Sequence, residues 1–372
     1  MSVRKRVLGN GQTRWQVDYR DGAGVRRHRQ FTTKREADAF HAKARTEVAA
    51  GVHTPDSASI TVREAADLWI ARCERDALEL TTILAYRQHV DLHIVPYIGT
   101  VKLSRLSAPA VNAFRDQLLD AGRSRDMVRR VLASLAALVG EAQARGLVAT
   151  NNVRTVSKTK RGKRTEDRIE MPTRDELRAI IATTPDRHRP LILTALLAGL
   201  RGSELRGLLW KDVDLKHGGM IDVRRRVDRF NKFGPPKSEA GTRTIPMSPL
   251  LLNTLKAWRL ACPKGELDLI FPNGAGNVEN HGNLLSRVFW PIQIAAGVTV
   301  LRDGRPDAKY SLHALRHACA ALWIEQGFGP KRIQVLMGHS SITQTFDRYG
   351  YLFEAREADT TAMAAITAKL VD

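Results

Sequence analysis

The sequence predicts a mainly α-helical chain with small β elements, an α+β protein built from successive parts. Three observations predict it. Strand-like alternation is concentrated near the N-terminus and again around residues 220–246. Helical apolar spacing, introduced by side chains that cap helices, fills most of the remainder. Between two such helical regions, residues 151–170 contain almost no apolar side chains.

Residues 1–55 read as a small sheet-and-helix module. Trp15 to Tyr19 alternates as a strand, Asp21-Gly22-Ala23-Gly24 is a turn signal, and Val25 to Phe31 reads as the returning strand. Thr33 and Glu36 form a capping box for a helix that Gly51 can end. Residues 1–50 hold 12 Lys and Arg against 5 Asp and Glu. A small sheet with basic edges suits a DNA groove.

Residues 60–150 read as a compact helical domain. Thr61 and Glu64 make a second capping box, Ser107 with Pro109 opens another helix, and Val128, Val131, Leu132, Leu135 and Leu138 keep helical spacing between Ser124 and Gly146. Residues 151–170 then read as a basic linker, with 7 Lys and Arg against 2 Asp and Glu from Asn151 to Arg168. Residues 171–372 are mixed. Thr173 and Glu176 cap a helix, Pro190 to Gly199 and Gly202 to Trp210 read as helices, Met220 to Val227 reads as a strand, and Arg243 to Pro246 as its return. Helices fill most of the remaining chain. At roughly 100–200 residues per domain, 372 residues agree with this division.

Charge sets the partner. Lys and Arg total 59 and Asp and Glu total 39, a net of +20, which favours polyanions and puts nucleic acid first. No run of about 18 apolar residues suggests a membrane span, and the basic N-terminus lacks the apolar segment of a secretory signal. The cysteines, Cys73, Cys262 and Cys319, are too scattered for a disulfide framework or a CxxC zinc site, so a reducing cytoplasm is expected.

Chemistry-bearing residues lie in the last part. In Tyr310-Ser-Leu-His-Ala-Leu-Arg-His317, His313 and Arg316 are three apart and share a helix face, where an Arg can grip two phosphate oxygens and a His can move a proton near neutral pH. His313 and His317 have the spacing of zinc-binding histidines, but Ala314 stands where that motif needs Glu, so no metal site is expected. Arg201 lies in the glycine-flanked turn Gly199-Leu-Arg-Gly202, and Glu204 is spaced to orient it. Lys237 sits in a turn-rich stretch that reads as a hairpin tip, suited to reach DNA and donate a proton. His339 follows a glycine turn, and Tyr349 falls near the end of the next helix.

Taken singly, each of these residues reads equally well as an ordinary surface or packing residue. In order, Arg201, Lys237, His313-x-x-Arg316, Gly338-His339 and Arg348-Tyr349 resemble the tyrosine recombinases, specifically phage and mobile-element integrases. The resemblance spans nearly the whole chain and is strongest over 171–352. It implies a catalytic domain over 171–372, an arm-site DNA-binding module at 1–55 and a core-site DNA-binding domain at 60–150. It also implies an active set of Arg201, Lys237, His313, Arg316, His339 and Tyr349, with Tyr349 as nucleophile and Glu204 supporting.

Strand exchange through a 3′-phosphotyrosine would need no metal, nucleotide or other cofactor, and would integrate or excise a viral or other mobile element. The implied partners are double-stranded attachment sites of core and arm type, a homotetramer on DNA, and a directionality factor or host DNA-bending protein, all in the nucleoid. The Ala-rich stretch Ala362 to Leu370 would dock on a neighbouring subunit. Tyr351, where many relatives carry His, and Ala318, where Thr is frequent, depart from the pattern. A type IB topoisomerase would share the chemistry, and a non-catalytic DNA-binding regulator would share the charge and the helices. The arm-like module and the Leu-Met-Gly-His turn favour the recombinase.

Overall fold

A computed structural model describes residues 2–21, 24–51, 53–56, 58–157 and 169–353. The chain forms two compact units, residues 1–164 and 165–372. The expected helix at Ala362 to Leu370 and most of the expected linker lie outside the described residues.

The first unit holds two cores. Strands β1 (Ser2–Val7), β2 (Thr13–Arg20) and β3 (Arg26–Phe31) form an antiparallel sheet in that order, covered by α1 (Lys34–Ala49). Alternation turns Val17 and Tyr19 inward against Ala37, with Trp15, Phe31 and Phe40 at the margin of this core. Strand β1 was not legible as a strand. Its centre is Arg4-Lys5-Arg6, which stays exposed, and only the register Val3↔Val17 ties it to the core pattern. A basic edge strand of this kind discourages pairing with other chains.

Helices α2 (Val62–Arg75), α3 (Leu80–His89), α4 (Val95–Ile98), α5 (Ala108–Asp120), α6 (Arg125–Ala144) and α7 (Asn152–Ser157) surround the second core, built on Trp69, Phe114, Leu118, Leu135 and Leu138. The capping boxes at Thr33 and Thr61 and the Ser107 and Ser124 caps are all formed. Helix α7 lies where linker was expected, because Val153 and Val156, three apart, are buried in this core.

The second unit opens with α8 (Arg174–Thr183), capped by the Thr173–Glu176 box, and α9 (Arg189–Leu197), apolar nearly all round and buried. Helix α10 spans only Gly202–Arg206, shorter than the expected Gly202 to Trp210. Gly207 explains the stop: a Cβ there would lie 3.1 Å from the backbone of Arg226, so the incoming strand occupies the space a longer helix would need. Strands β4 (Val213–Asp214), β5 (Met220–Val223) and β8 (Arg243–Pro246) form one antiparallel sheet, and β6 (Arg226–Val227) and β7 (Phe233–Gly234) a short ribbon. The expected strand Met220 to Val227 is therefore two strands serving different partners.

Helices α11 (Pro249–Ala261), α12 (His281–Asn283) and α13 (Trp290–Ala295) come next, then a hairpin of β9 (Thr299–Arg302) and β10 (Arg305–Ala308) that periodicity did not reveal. Helices α14 (Leu312–Glu325), α15 (Pro330–Met337) and α16 (Ile342–Tyr349) complete the unit. Helix α14 packs against α9 and α15, and α15 also meets β8 and α16. The ends of α9, α15 and α16, the start of α10 and one face of α14 thereby converge.

Candidate active site

The site begins where α9 stops. Gly199 takes a φ of +60°, the left-handed region that favours glycine, with the Met337 and Cys319 side chains packed against it. Two residues later Arg201 is the N-cap of α10. Its backbone N–H donates to Glu204 Oε2 (2.9 Å), its Nη1 donates to Glu204 Oε1 (2.7 Å) and its Nη2 donates to the Gly338 carbonyl (3.0 Å). The Arg201 side chain remains 30% exposed, so part of the guanidinium faces outward while its inner edge is held.

Glu204 itself is 2% exposed and carries a second partner that the sequence did not indicate. Arg243, at the start of β8 and equally buried, donates from Nη2 to Glu204 Oε2 (2.9 Å) and from Nη1 to Oε1 (3.1 Å). Its Nε donates to the Leu336 carbonyl (2.7 Å) and Nη1 also to the Gly241 carbonyl (2.9 Å). Burial pushes the Glu204 carboxyl upward, but Arg243 chiefly, with Arg316 and Arg201, outweighs it and holds the group at about 2. Gly338, at φ +62°, closes α15 and has Ala240 and Arg243 against it; a Cβ would lie 2.8 Å from the Ala240 carbonyl.

Arg316 is 2% exposed, not the surface residue its helical face suggested. It donates from Nη1 to the Gly199 carbonyl (2.5 Å) and from Nη2 to the Met337 carbonyl. One guanidinium thus joins the end of α9 to the end of α15. Burial and the neighbouring Arg201 push its pKa down to about 9, Glu204 opposing, so it stays cationic at neutral pH.

Tyr349, the last residue of α16, is fully buried, and its hydroxyl is 2.7 Å from His317 Nδ1. Burial raises the phenol to about 12, with Arg316 and Arg348 pulling it down. His339 is 1% exposed and lies parallel to the tyrosine ring at 6.3 Å between centroids. Its Nδ1 is 2.9 Å from Thr345 Oγ1, while its Nε2 is buried without a hydrogen-bond partner. In the tautomer where Nδ1 accepts from the Thr345 hydroxyl, the proton of a neutral ring sits on Nε2, which is then a buried donor without a partner among the described residues. Burial and the positive charge of Arg316, Arg348, Arg201 and Arg243 lower His339 to about 3, leaving it neutral.

His313 is exposed, one turn before His317, with the two rings edge to face at 4.7 Å. Packing, then His317, Arg316, Arg348 and Arg201, hold it below the ordinary imidazole value.

The structure therefore brings Arg201, Glu204, Arg316, His339 and Tyr349 into one cluster with Arg243 and His317, and sets His313 at its edge. Lys237 stands apart. It is exposed between β7 and the turn at Glu239–Gly241, past the β6–β7 ribbon rather than at its tip, and makes no hydrogen bond or ion pair among the described residues. The ribbon is anchored by Arg206 of α10, which donates to the Asp228 carbonyl (3.1 Å) and to the Asn231 side chain. Arg243, Arg206 and His317 were missed as members of the site framework. Only the adjacency of His317 to Arg316 gave any signal. Among the described residues no three His, Cys, Asp or Glu side chains gather where they could hold a metal ion. A cavity of about 730 Å³, lined by Trp258, Phe271, Leu284 and Val288 among others, shares no residue with the cluster.

Residues 171–356 fit the model of the phage integrase family. The chain is 28% identical over 372 residues to a prophage phiRv2 integrase of Mycobacterium tuberculosis, covering 96% of this chain and 93% of that one. It is 24% identical over 376 residues to the ICEBs1 integrase of Bacillus subtilis, covering 96% and 98%. In structure it is similar to the Tn1549 transposon integrase in complex with a circular intermediate DNA, with a TM-score of 0.68 and 19% identity over 83% of this chain and 100% of that one. It is also similar to a lambda integrase tetramer bound to a Holliday junction, with a TM-score of 0.59 and 22% identity over 91% and 96%. The chain belongs to the phage integrase family and is a tyrosine site-specific recombinase.

The Glu204 cluster has a consequence for stability. Its carboxyl titrates at about 2 in the folded chain against an ordinary 4.5, so it contributes stability fully present above about pH 4.5 and lost as pH falls toward 2. A shift of this size corresponds to about 3 kcal/mol. Glu204→Gln is expected to destabilise the chain by about 3 kcal/mol near pH 6, and urea unfolding should find the gap from wild type closing as pH falls below 4.5.

Proposed function

We propose that this recombinase cuts and rejoins double-stranded DNA at specific sites through a covalent link to Tyr349, integrating or excising a mobile element. The observation that carries the reading is the buried Tyr349 phenol, bonded to His317, stacked beside the His339 ring and close to Arg316, which shares Glu204 with Arg201. These groups suit an anion carrying two non-bridging oxygens next to a nucleophile.

The phenol oxygen attacks the phosphorus, the bond to the 5′ oxygen breaks, and a 3′-phosphotyrosine remains. Arg201 and Arg316 hold the non-bridging oxygens and stabilise the charge that gathers there. His339 donates from Nε2 to one of them. Lys237, on its exposed loop, protonates the leaving 5′ oxygen once DNA brings the two together, and His313 at the edge of the cluster assists. The phosphotyrosine keeps the energy of the phosphodiester, so rejoining needs no nucleotide.

Net charge +20 supports DNA as the partner, and the DNA-bound integrases of similar fold support core-site binding and assembly of a tetramer on it. The arm-site role of residues 1–55 draws on the exposed Arg4, Lys5, Arg6, Arg26 and Arg29 of the small sheet. A directionality factor or DNA-bending protein would join them on the nucleoid. Among the described residues no helix is long and apolar enough to cross a membrane.

Covalent capture tests the chemistry. The protein is mixed with a nicked random-sequence duplex library, denatured, and the DNA attached to it is recovered. An adduct that disappears in Tyr349→Phe, with DNA affinity retained, is expected. Adduct surviving in Tyr349→Phe, or none from wild type, would contradict the reading. Replacing Arg4, Lys5 and Arg6 together by Ser should leave cleavage of the recovered site unchanged and weaken binding to DNA flanking it. The salt dependence of that binding should drop by about one power for each phosphate no longer neutralised.

A further inference from the structure

We propose that His317 is the base that takes the Tyr349 phenolic proton during strand cleavage and returns it during rejoining; this rests on Tyr349 being the nucleophile. Among the described residues, the buried Tyr349 hydroxyl has one hydrogen-bond partner, His317 Nδ1 at 2.7 Å. A buried O–H proton with one partner points to it, so the phenol donates and Nδ1 accepts, which fixes His317 as the neutral Nε2–H tautomer. A neutral imidazole accepting from the attacking oxygen already has the geometry of a general base. His313 does not. It lies one turn earlier, exposed, meeting His317 edge to face and making no hydrogen bond to the tyrosine.

The surrounding charges keep the proton on the phenol until DNA arrives. His313 and Arg316 on α14 and Arg348 on α16 face the His317 ring, and burial followed by Arg348 and Arg316 lowers it to about 4. A phosphate entering between the arginines adds negative charge and favours the imidazolium. As the bond from the tyrosine oxygen to phosphorus forms, that oxygen ceases to be basic and its O–H bond breaks toward Nδ1. The electron pair of the breaking phosphorus–oxygen bond leaves with the 5′ oxygen, which takes a proton from a separate acid, Lys237. In rejoining, a 5′-hydroxyl attacks the phosphotyrosine and gives its proton to the Lys237 amine left neutral by cleavage, while His317 returns its proton to the departing phenol oxygen.

His317→Asn and His317→Gln retain an acceptor near the phenol but cannot take its proton. Single-turnover adduct formation is measured on a duplex carrying the site recovered by covalent capture. Wild type is expected to slow at acidic pH as His317 is protonated; both variants are expected to bind the duplex with wild-type affinity, cleave ~100-fold more slowly and lose that acid-side fall. On the same duplex with a 5′-bridging phosphorothiolate, whose sulfur leaves without a proton, Lys237→Ala should recover its rate and the His317 variants should not.

Rates within twofold of wild type with an unchanged pH profile would overturn the proposal. So would faster cleavage, which would make the bond a latch on a resting tyrosine. Recovery of the His317 variants on the phosphorothiolate would move His317 to the leaving group. Adduct formation by Tyr349→Phe breaks the underlying reading instead, whereas a silent Tyr349→Phe beside fast His317 variants breaks this inference alone.

Discussion

One buried carboxylate organises the second unit, residues 165–372. Arg201, Arg243 and Arg316 converge within a small volume, two of them almost wholly out of water. Buried cations of like sign repel strongly and are costly to desolvate. Glu204 offsets both effects. It pairs with Arg243 through both oxygens and with Arg201 through one, and it opposes the depression of Arg316. Further guanidinium hydrogens go to carbonyls of Gly199, Gly338, Leu336, Met337 and Gly241, which are the ends of helices or turns. The clustered arginines are thus the same groups that tie α9, α10, α14, α15 and β8 together. Site and fold are one network, and loss of Glu204 weakens both.

The same electrostatics set the resting state of Tyr349. A concentration of positive charge lowers the phenol, yet burial prevails and the tyrosine rests at about 12, fully protonated at neutral pH. The histidines around it are held neutral for the same two reasons, burial and arginine charge. A neutral histidine accepts at one ring nitrogen and donates at the other. Here His317 Nδ1 is taken up by the phenol, while among the described residues His339 Nε2 has no hydrogen-bond partner. An anion is what such a site lacks.

How much of the fold and site was legible in the sequence depends on how local each signal is. Capping boxes at Thr33, Thr61 and Thr173 lie within four residues and were legible. The contact of Arg201 with Glu204 spans three residues and was readable from spacing alone. Arg243 reaches Glu204 across 39 residues and Leu336 across 93, so nothing in its neighbourhood, a short strand after a turn, reveals it. His317 reaches Tyr349 across 32 residues and was read only as a failed zinc spacing. Strand β1 hid behind a run of cations, and the β9–β10 hairpin, with Arg302 paired to Asp307, shows little apolar alternation to read. Helix α10 stopped early for a tertiary reason, the approach of Arg226 to Gly207.

Glu204 and Arg243 act as a neutralised pair rather than as two independent contributors, and the integrity of the site depends on it. A double-mutant cycle of Glu204→Gln and Arg243→Met measures this directly, with urea unfolding at neutral pH as the readout. Strong non-additivity is expected: each single variant leaves a buried charge uncompensated, and the double variant regains much of the lost stability. Additive losses, with the double variant as unstable as the sum of the two, would contradict the pairing.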